Sequence, residues 1–268
     1  MREDGLIMGD IFVFSFNILT DCYGNEKSEY SFEKRSKLFN EHFLKYNPDL
    51  IGFQEAMPHQ KKWLEDNLHD FQTVGCGRGK DYLDESCVIA YRKSRFDLIT
   101  LDTFWLSPTP DVPGSRYLTD QSECPRICTS AMFLDKECGR LFRHYNTHLD
   151  HIGDEAKNKG MALILDRAAS DYKKMPVPII ITGDFNSEPD SDVYKMTVGF
   201  KKCGEPLKDV SPEHGDTYHD FYPERKGKKI DFIFTNISCD RTRSIILHDN
   251  ENGLYLSDHY PVGAHLIL

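Results

Sequence analysis

The chain has 268 residues, 39% hydrophobic and 12% aromatic, enough apolar material for a sizeable core. With 33 basic against 43 acidic residues its net charge is −10, which argues against holding long duplex nucleic acid by its phosphates. No apolar run reaches membrane-span length, the charged start Met1-Arg2-Glu3-Asp4-Gly5 lacks the shape of a secretion signal, and the 8 cysteines contain no Cys-x-x-Cys pair, so a cytoplasmic protein with free thiols is expected.

Residues 1–10 read as an N-terminal extension and 11–268 as a single domain, since no Pro/Gly/Ser-rich linker divides them. Ile11 to Leu19 is an aromatic and β-branched run expected to form a buried strand, with Asn17 near its end. Phe32 to Tyr46 has the spacing of an amphipathic helix stopped by Asn47-Pro48. Asp49 to Glu55 is a short core strand ending in an acid, and Pro58 to Leu68 a helix with proline in its first turn.

Strands are predicted at Phe71 to Cys76, Cys87 to Tyr91, Phe96 to Leu106, Ile127 to Leu134 and Leu141 to Leu149, paired mostly antiparallel. Ser107 to Pro125 is a long proline-rich loop of unassigned role, and Arg126 at its exit is either a phosphate contact or half of a surface salt bridge. In Asn146-Thr147-His148-Leu149-Asp150-His151, extended backbone places His148 and Asp150 on one face; the role of His151 is left open. Asp154 to Tyr172 is a helix leading into Pro176 to Pro189, whose β-branched core reads as a strand buried on both faces. There Asp184 and Asn186 point the same way if the chain stays extended, whereas the commoner meaning of Gly-Asp with Asn-Ser is an Asx-rich turn.

Asp190 to Val198 is a short helix, Lys229 to Phe234 a core strand carrying the lone acid Asp231, and Leu256 to Val262 precedes a closing strand to Leu268. The cluster Glu224-Arg225-Lys226-Gly227-Lys228-Lys229 is either a solvated turn or an attraction for an anionic substrate. Strand ends thus carry Asn17, Glu55, His148, Asp184 with Asn186, Asp231, and Asp258 with His259. Carboxylate and amide oxygens suit Mg²⁺ or Mn²⁺, and histidines beside acids suit proton transfer or stabilisation of a phosphoryl group. Cys124 and Cys128 with His144 or His148 would make a zinc site only if a second close pair were present, and it is missing. The residues by themselves lead to a metal-assisted hydrolase of phosphate esters.

Phe16-Asn17-Ile18, Gln54-Glu55, Asn146-Thr147-His148, Gly183-Asp184-Phe185-Asn186, Ile230-Asp231-Phe232-Ile233 and Ser257-Asp258-His259 resemble, in order, the motifs of the endonuclease/exonuclease/phosphatase superfamily. Thr103 to Ser107 and Pro125 to Cys128 are similar to a bacterial branch of it. The resemblance implies a four-layer α/β sandwich: two mixed, mostly antiparallel sheets face to face, helices on both outer sides. It implies Mg²⁺ or Mn²⁺ held mainly by Glu55, with Asn17 and Asp258 completing or indirectly supporting the shell. It gives Asp184 the attacking water, and Asn186 that water or a phosphoryl oxygen. His259 with Asp231 would stabilise the transition state or act as the base, and His148 would contact the scissile phosphate or protonate the leaving oxygen. The expected substrate is a small or single-stranded phosphodiester or a phosphorylated metabolite, the alternative a DNA or RNA nuclease, and a remote one an inactive interaction module. A monomer with no obligate protein partner is expected.

Overall fold

Runs of alternating aromatic and β-branched residues form two packed sheets, and the alternation decides which side chain faces which layer. The computed structural model describes residues 2–3, 6–21, 29–239 and 241–268; Cys22 lies outside them. Among these residues one sheet has seven strands, in the order Ser238–Cys239, Val262–Ile267, Asp10–Asn17, Leu50–Ala56, Ser86–Arg92, Phe71–Val74, with Ile245–Ile246 also paired to Val262–Ile267. The other has six, in the order Lys208–Asp209, Asp231–Thr235, Ile179–Asp184, Arg140–His148, Ile127–Asp135, Phe96–Trp105. Asp10–Asn17 runs parallel to Leu50–Ala56, and Ile179–Asp184 parallel to Arg140–His148; the other pairings are antiparallel.

Ile11 and Val13 meet Ile180 and Ile233 between the sheets. Their neighbours Phe12, Phe14 and Phe16 turn outward onto Phe39, Phe43 and Leu64 of one helical layer. On the far side Ile179, Ile181, Phe232 and Phe234 pack on Met161, Ile164 and Leu165 of the helix Asp154–Lys174. The result is the expected four-layer α/β sandwich. Among the described residues no helix is long and apolar enough to cross a membrane.

Near one end the apolar interior gives way to a hydrogen-bonded seam. Asn146 Nδ2 donates to Phe53 O at 2.8 Å and Val88 O at 2.9 Å, crossing from one sheet to the other. Its Oδ1 accepts from Gln54 Nε2 at 2.7 Å and from Thr182 Oγ1 at 3.0 Å. Gly52 is required here: a Cβ would stand 2.2 Å from Thr182 Oγ1 and 2.5 Å from Asn146 Oδ1. The seam fixes the register of the two sheets where their strands run out into the candidate site.

Two expectations are corrected. The helix predicted over Phe32 to Tyr46 is broken into short turns, Phe32–Arg35, Ser36–Leu38, Phe39–His42 and Leu44–Tyr46. Tertiary contacts override its periodicity, because Arg35 is drawn wholly into the interior. The Asp184 strand stops at Asp184 itself, so extended alternation does not align Asn186 with it.

Candidate active site

The site forms where strands of both sheets end together. Glu55 sits at a register irregularity between Phe53 and Ala56 and adopts φ of +63°, a bulge that re-aims its side chain out of the ladder. Its Oε2 accepts from Thr20 N at 2.8 Å and its Oε1 from Asn17 Nδ2 at 2.9 Å. The same Asn17 amide donates to Asp184 Oδ2 at 3.0 Å, tying the two sheets' acids together.

Pairing brings the other groups to Asp184. It lies opposite Asp231 across the antiparallel pair and opposite His148 across the parallel one. Asn186 follows in the left-handed region at φ of +45°, and its N–H donates to Asp184 Oδ1 at 2.9 Å, an Asx turn. The turn delivers its side chain to the site, where Nδ2 donates to His148 Nε2 at 3.0 Å and to Leu149 O at 3.1 Å. His148 Nε2 therefore accepts and its proton sits on Nδ1, 3.9 Å from Glu55 Oε1.

His259 Nδ1 donates to Asp231 Oδ2 at 2.8 Å, which leaves Nε2 turned toward Asp184 Oδ2 at 3.7 Å. Burial opposes the charge of His259, but Asp231 beside it, with Asp184 and Asp258, holds it well above the ordinary imidazole value. His148 is driven the opposite way, below its usual value, by burial and then by Arg126 and Arg78. Asp184 is pushed up to about 7 by burial, then by the charge of Asp231. One imidazolium, one neutral imidazole and crowded carboxylates thus stand side by side.

These groups open into a cleft of about 490 Å³, lined also by Asp258, Arg126, Arg78, Lys157, Tyr218 and Lys228. Of the residues expected from sequence, Asn17, Glu55, His148, Asp184 and Asn186 meet directly. Asp231 supports His259 from behind, and Asp258 and Arg126 line the same cleft. Arg126 is not at the surface: it is 5% exposed, and Nη2 donates to His151 Nδ1 at 2.8 Å. Asp150 does not join the cleft, because the strand ends at His148. It instead accepts from Gly153 N at 2.8 Å, Ile152 N at 3.0 Å and the Ser122 hydroxyl, fastening the long loop to the start of the helix Asp154–Lys174.

Two sets of side chains among the described residues could hold a cation: Glu55, His148 and Asp184, and Asp184, Asp231 and His259, each with ligand atoms within 4.8 Å of one another. The carboxylate oxygens of Glu55 and Asp184 fit Mg²⁺ or Mn²⁺, while Asn17 turns its nitrogen to these acids and its oxygen accepts from Leu19 N at 3.0 Å. No cysteine belongs to either set. The zinc alternative fails because Cys128 is buried within a strand and His144 Nε2 is 2.7 Å from Thr182 Oγ1, in the seam between the sheets.

Sequence reasoning missed Arg35, Arg78, Glu85, Lys157 and Tyr218. Arg35 is fully buried, with Nη1 donating to Ile18 O and Leu256 O at 2.7 Å, so it ties the turn after Asn17 to the loop before Asp258. Nothing marked it among the charges of its segment. Arg78 had a signal in Gly77-Arg78-Gly79, where a Cβ on Gly77 would meet Leu83 O at 2.1 Å.

A profile of the Endonuclease/Exonuclease/phosphatase family matches residues 14–259. The structure superposes on an endonuclease/exonuclease/phosphatase from Bacteroides vulgatus with TM-score 0.81 at 29% identity, covering 96% of this chain and 98% of that one. It superposes equally on a mannosyl-6-phosphatase from Bacteroides thetaiotaomicron, with TM-score 0.81 at 26% identity over 96% and 99% of the two chains. Nocturnin from Rattus norvegicus is 26% identical over 68% of this chain, which spans about half, 45%, of that protein.

Proposed function

This chain belongs to the endonuclease/exonuclease/phosphatase family, and on that premise we propose that residues 11–268 form one divalent-metal-dependent hydrolase domain for phosphate esters. Its substrate on this reading is a phosphorylated metabolite or a small or single-stranded phosphodiester. The observation that carries the reading is the meeting of Glu55, Asn17, Asp184 and His148 beside the His259–Asp231 pair at the floor of one cleft.

Mg²⁺ or Mn²⁺ would be held by Glu55 with Asn17, with Asp258 at the same cleft, and would supply charge neutralisation at the phosphoryl oxygens. Asp184, fixed by the Asn17 amide and by the Asn186 backbone, orients or deprotonates the attacking water. Asn186 steadies that water or a phosphoryl oxygen. His259, kept protonated by Asp231, presents Nε2–H to the charge that builds on the phosphoryl group. Of the two roles open to His148, contact with the phosphate fits its neutral state better than protonation of the leaving oxygen.

The test is Mg²⁺- and Mn²⁺-dependent hydrolysis of end-labelled oligonucleotides beside small phosphodiesters and monoesters. Metal-dependent turnover that Asp184→Asn and His259→Ala each reduce at least about 10³-fold, with circular dichroism unchanged, is the expected result. Near-normal activity in either variant removes its assigned role.

A further inference from the structure

Among the described residues four lysine and arginine side chains line the cleft, and three of them are already committed. Arg78 is held by Glu85, Nη1 at 2.8 Å from Oε2 and Nη2 donating to Oε1 at 3.0 Å. Arg126 donates Nη2 to His151 and buries its other nitrogens near Asp150. Lys157 Nζ lies 2.7 Å from Asp154 Oδ1 and donates to Asn186 O at 3.3 Å. Lys228 differs. It is exposed, and among the described residues its ammonium has neither an ion pair nor a hydrogen bond.

The backbone aims this lysine. Tyr218 and Lys228 exchange both bonds of an antiparallel pair, Tyr218 N donating to Lys228 O at 2.9 Å and Lys228 N to Tyr218 O at 3.0 Å. On its other side Tyr218 stands opposite His259, again antiparallel, flanked by the bonds Tyr260 N to Thr217 O and His219 N to Asp258 O. Residues directly opposite across a pair send their side chains to one face, so His259, Tyr218 and Lys228 form a row along the cleft wall. A hydrogen-bonded pair followed by a non-hydrogen-bonded one sets the first and last Cα atoms of the row about 10 Å apart. Between them the half-buried Tyr218 ring has its centroid 4.9 Å from that of His259. Gly227 permits the close approach, since a Cβ there would stand 2.2 Å from Tyr218 O. Lys229 is spent elsewhere: its Nζ donates to Pro212 O at 2.6 Å and lies 3.4 Å from Asp209 Oδ2. The basic run before the Asp231 strand is thus divided, one lysine bracing the fold and its neighbour facing the cleft.

Building on the phosphoester-hydrolase reading, which puts the scissile phosphoryl group at His259, we propose that Lys228 is a specificity-determining residue that holds a second anionic group of the substrate, a phosphate or a carboxylate. Tyr218 walls the carbon skeleton between the two anions. A cation already paired has little left to give an anion, whereas Lys228 keeps its charge and all three N–H donors for a ligand. The chain's net charge of −10 supplies no broad attraction for a polyanion, so a second anion has to be recognised locally.

The experiment is titration calorimetry in excess Mg²⁺ with three ligands that cannot be hydrolysed: hexylphosphonate, 6-phosphonohexanoate and hexane-1,6-diphosphonate. They share one chain and differ only in whether its far end carries an anion. The wild type should bind one or both doubly anionic ligands about tenfold tighter than hexylphosphonate, and the advantage should shrink as salt is raised. Lys228→Gln, an exchange at an exposed position, should erase the advantage, and Lys228→Arg should keep most of it. The far end that gains more names the second group. Equal binding of the three ligands by the wild type, no binding of any, or an advantage that persists in Lys228→Gln overturns the proposal. Rates on hexyl phosphate and hexane-1,6-diol bisphosphate separate it from the hydrolase reading. The binding advantage without turnover of either ester keeps Lys228 and rejects the hydrolase. Metal-dependent turnover of both at equal kcat/KM by the wild type does the reverse.

Discussion

His144 makes the seam between the sheets a pH-dependent element. Thr182 Oγ1 spends its proton on Asn146 Oδ1, so it accepts from His144 Nε2–H at 2.7 Å, and the buried Nδ1 is bare and without a partner. A second proton would have to sit there, unsolvated. Burial accordingly lowers His144 from 6.5 to about 3. Because the folded value is depressed, the unfolded chain takes up protons first. The contribution to stability is whole above the unfolded value and is lost as pH falls from 6.5 toward about 3. Between pH 7 and pH 5 the folded group stays neutral while the unfolded one titrates, so the loss is about 2 kcal/mol. The assay is urea unfolding at both pH values for the wild type and for His144→Gln, whose amide can reach the same Thr182 oxygen. Other histidines contribute to both proteins and cancel in the comparison. The wild type should lose about 2 kcal/mol more than the variant between pH 7 and pH 5. Equal losses would refute the argument, since His144 would then be able to accept a proton in the folded state.

Gly52→Ala places a methyl 2.2 Å from Thr182 Oγ1 and should cost about 3 kcal/mol in urea unfolding; a cost under about 1 kcal/mol means the seam can yield. EDTA should abolish ester hydrolysis and Mg²⁺ or Mn²⁺ restore it, and Mg²⁺ should raise the melting temperature of the wild type but not of Glu55→Gln. Activity that persists after exhaustive chelation counts against the metal. Arg35→Met removes the bonds joining the Asn17 and Asp258 loops, and Mg²⁺ affinity measured calorimetrically should fall about 10–100-fold, as for other residues that orient ligands indirectly. Unchanged affinity would mean that those loops hold their positions without it.

The layering was legible in the sequence because burial alternates along a strand: Ile11 and Val13 against Phe12 and Phe14 already separate inner from outer face. The acids, amides and histidines stood out because polar residues at the ends of apolar strands have few structural uses, and the ordered motifs placed them in one family. Other features depended on partners remote in sequence. Asn186 meets the site through an Asx turn, a choice made by Asp184 Oδ1 rather than by strand periodicity. Asp150 was drawn away to Ser122 and Gly153. Arg35 looked like an ordinary surface charge and Arg78 was marked only by its flanking glycines, since a guanidinium is buried only where carbonyls or carboxylates converge on it, here Ile18 with Leu256 on Arg35 and Glu85 on Arg78. Side-chain chemistry and local period are written residue by residue. Whether a charge is buried, and what it faces there, is decided when separate strands close on one another.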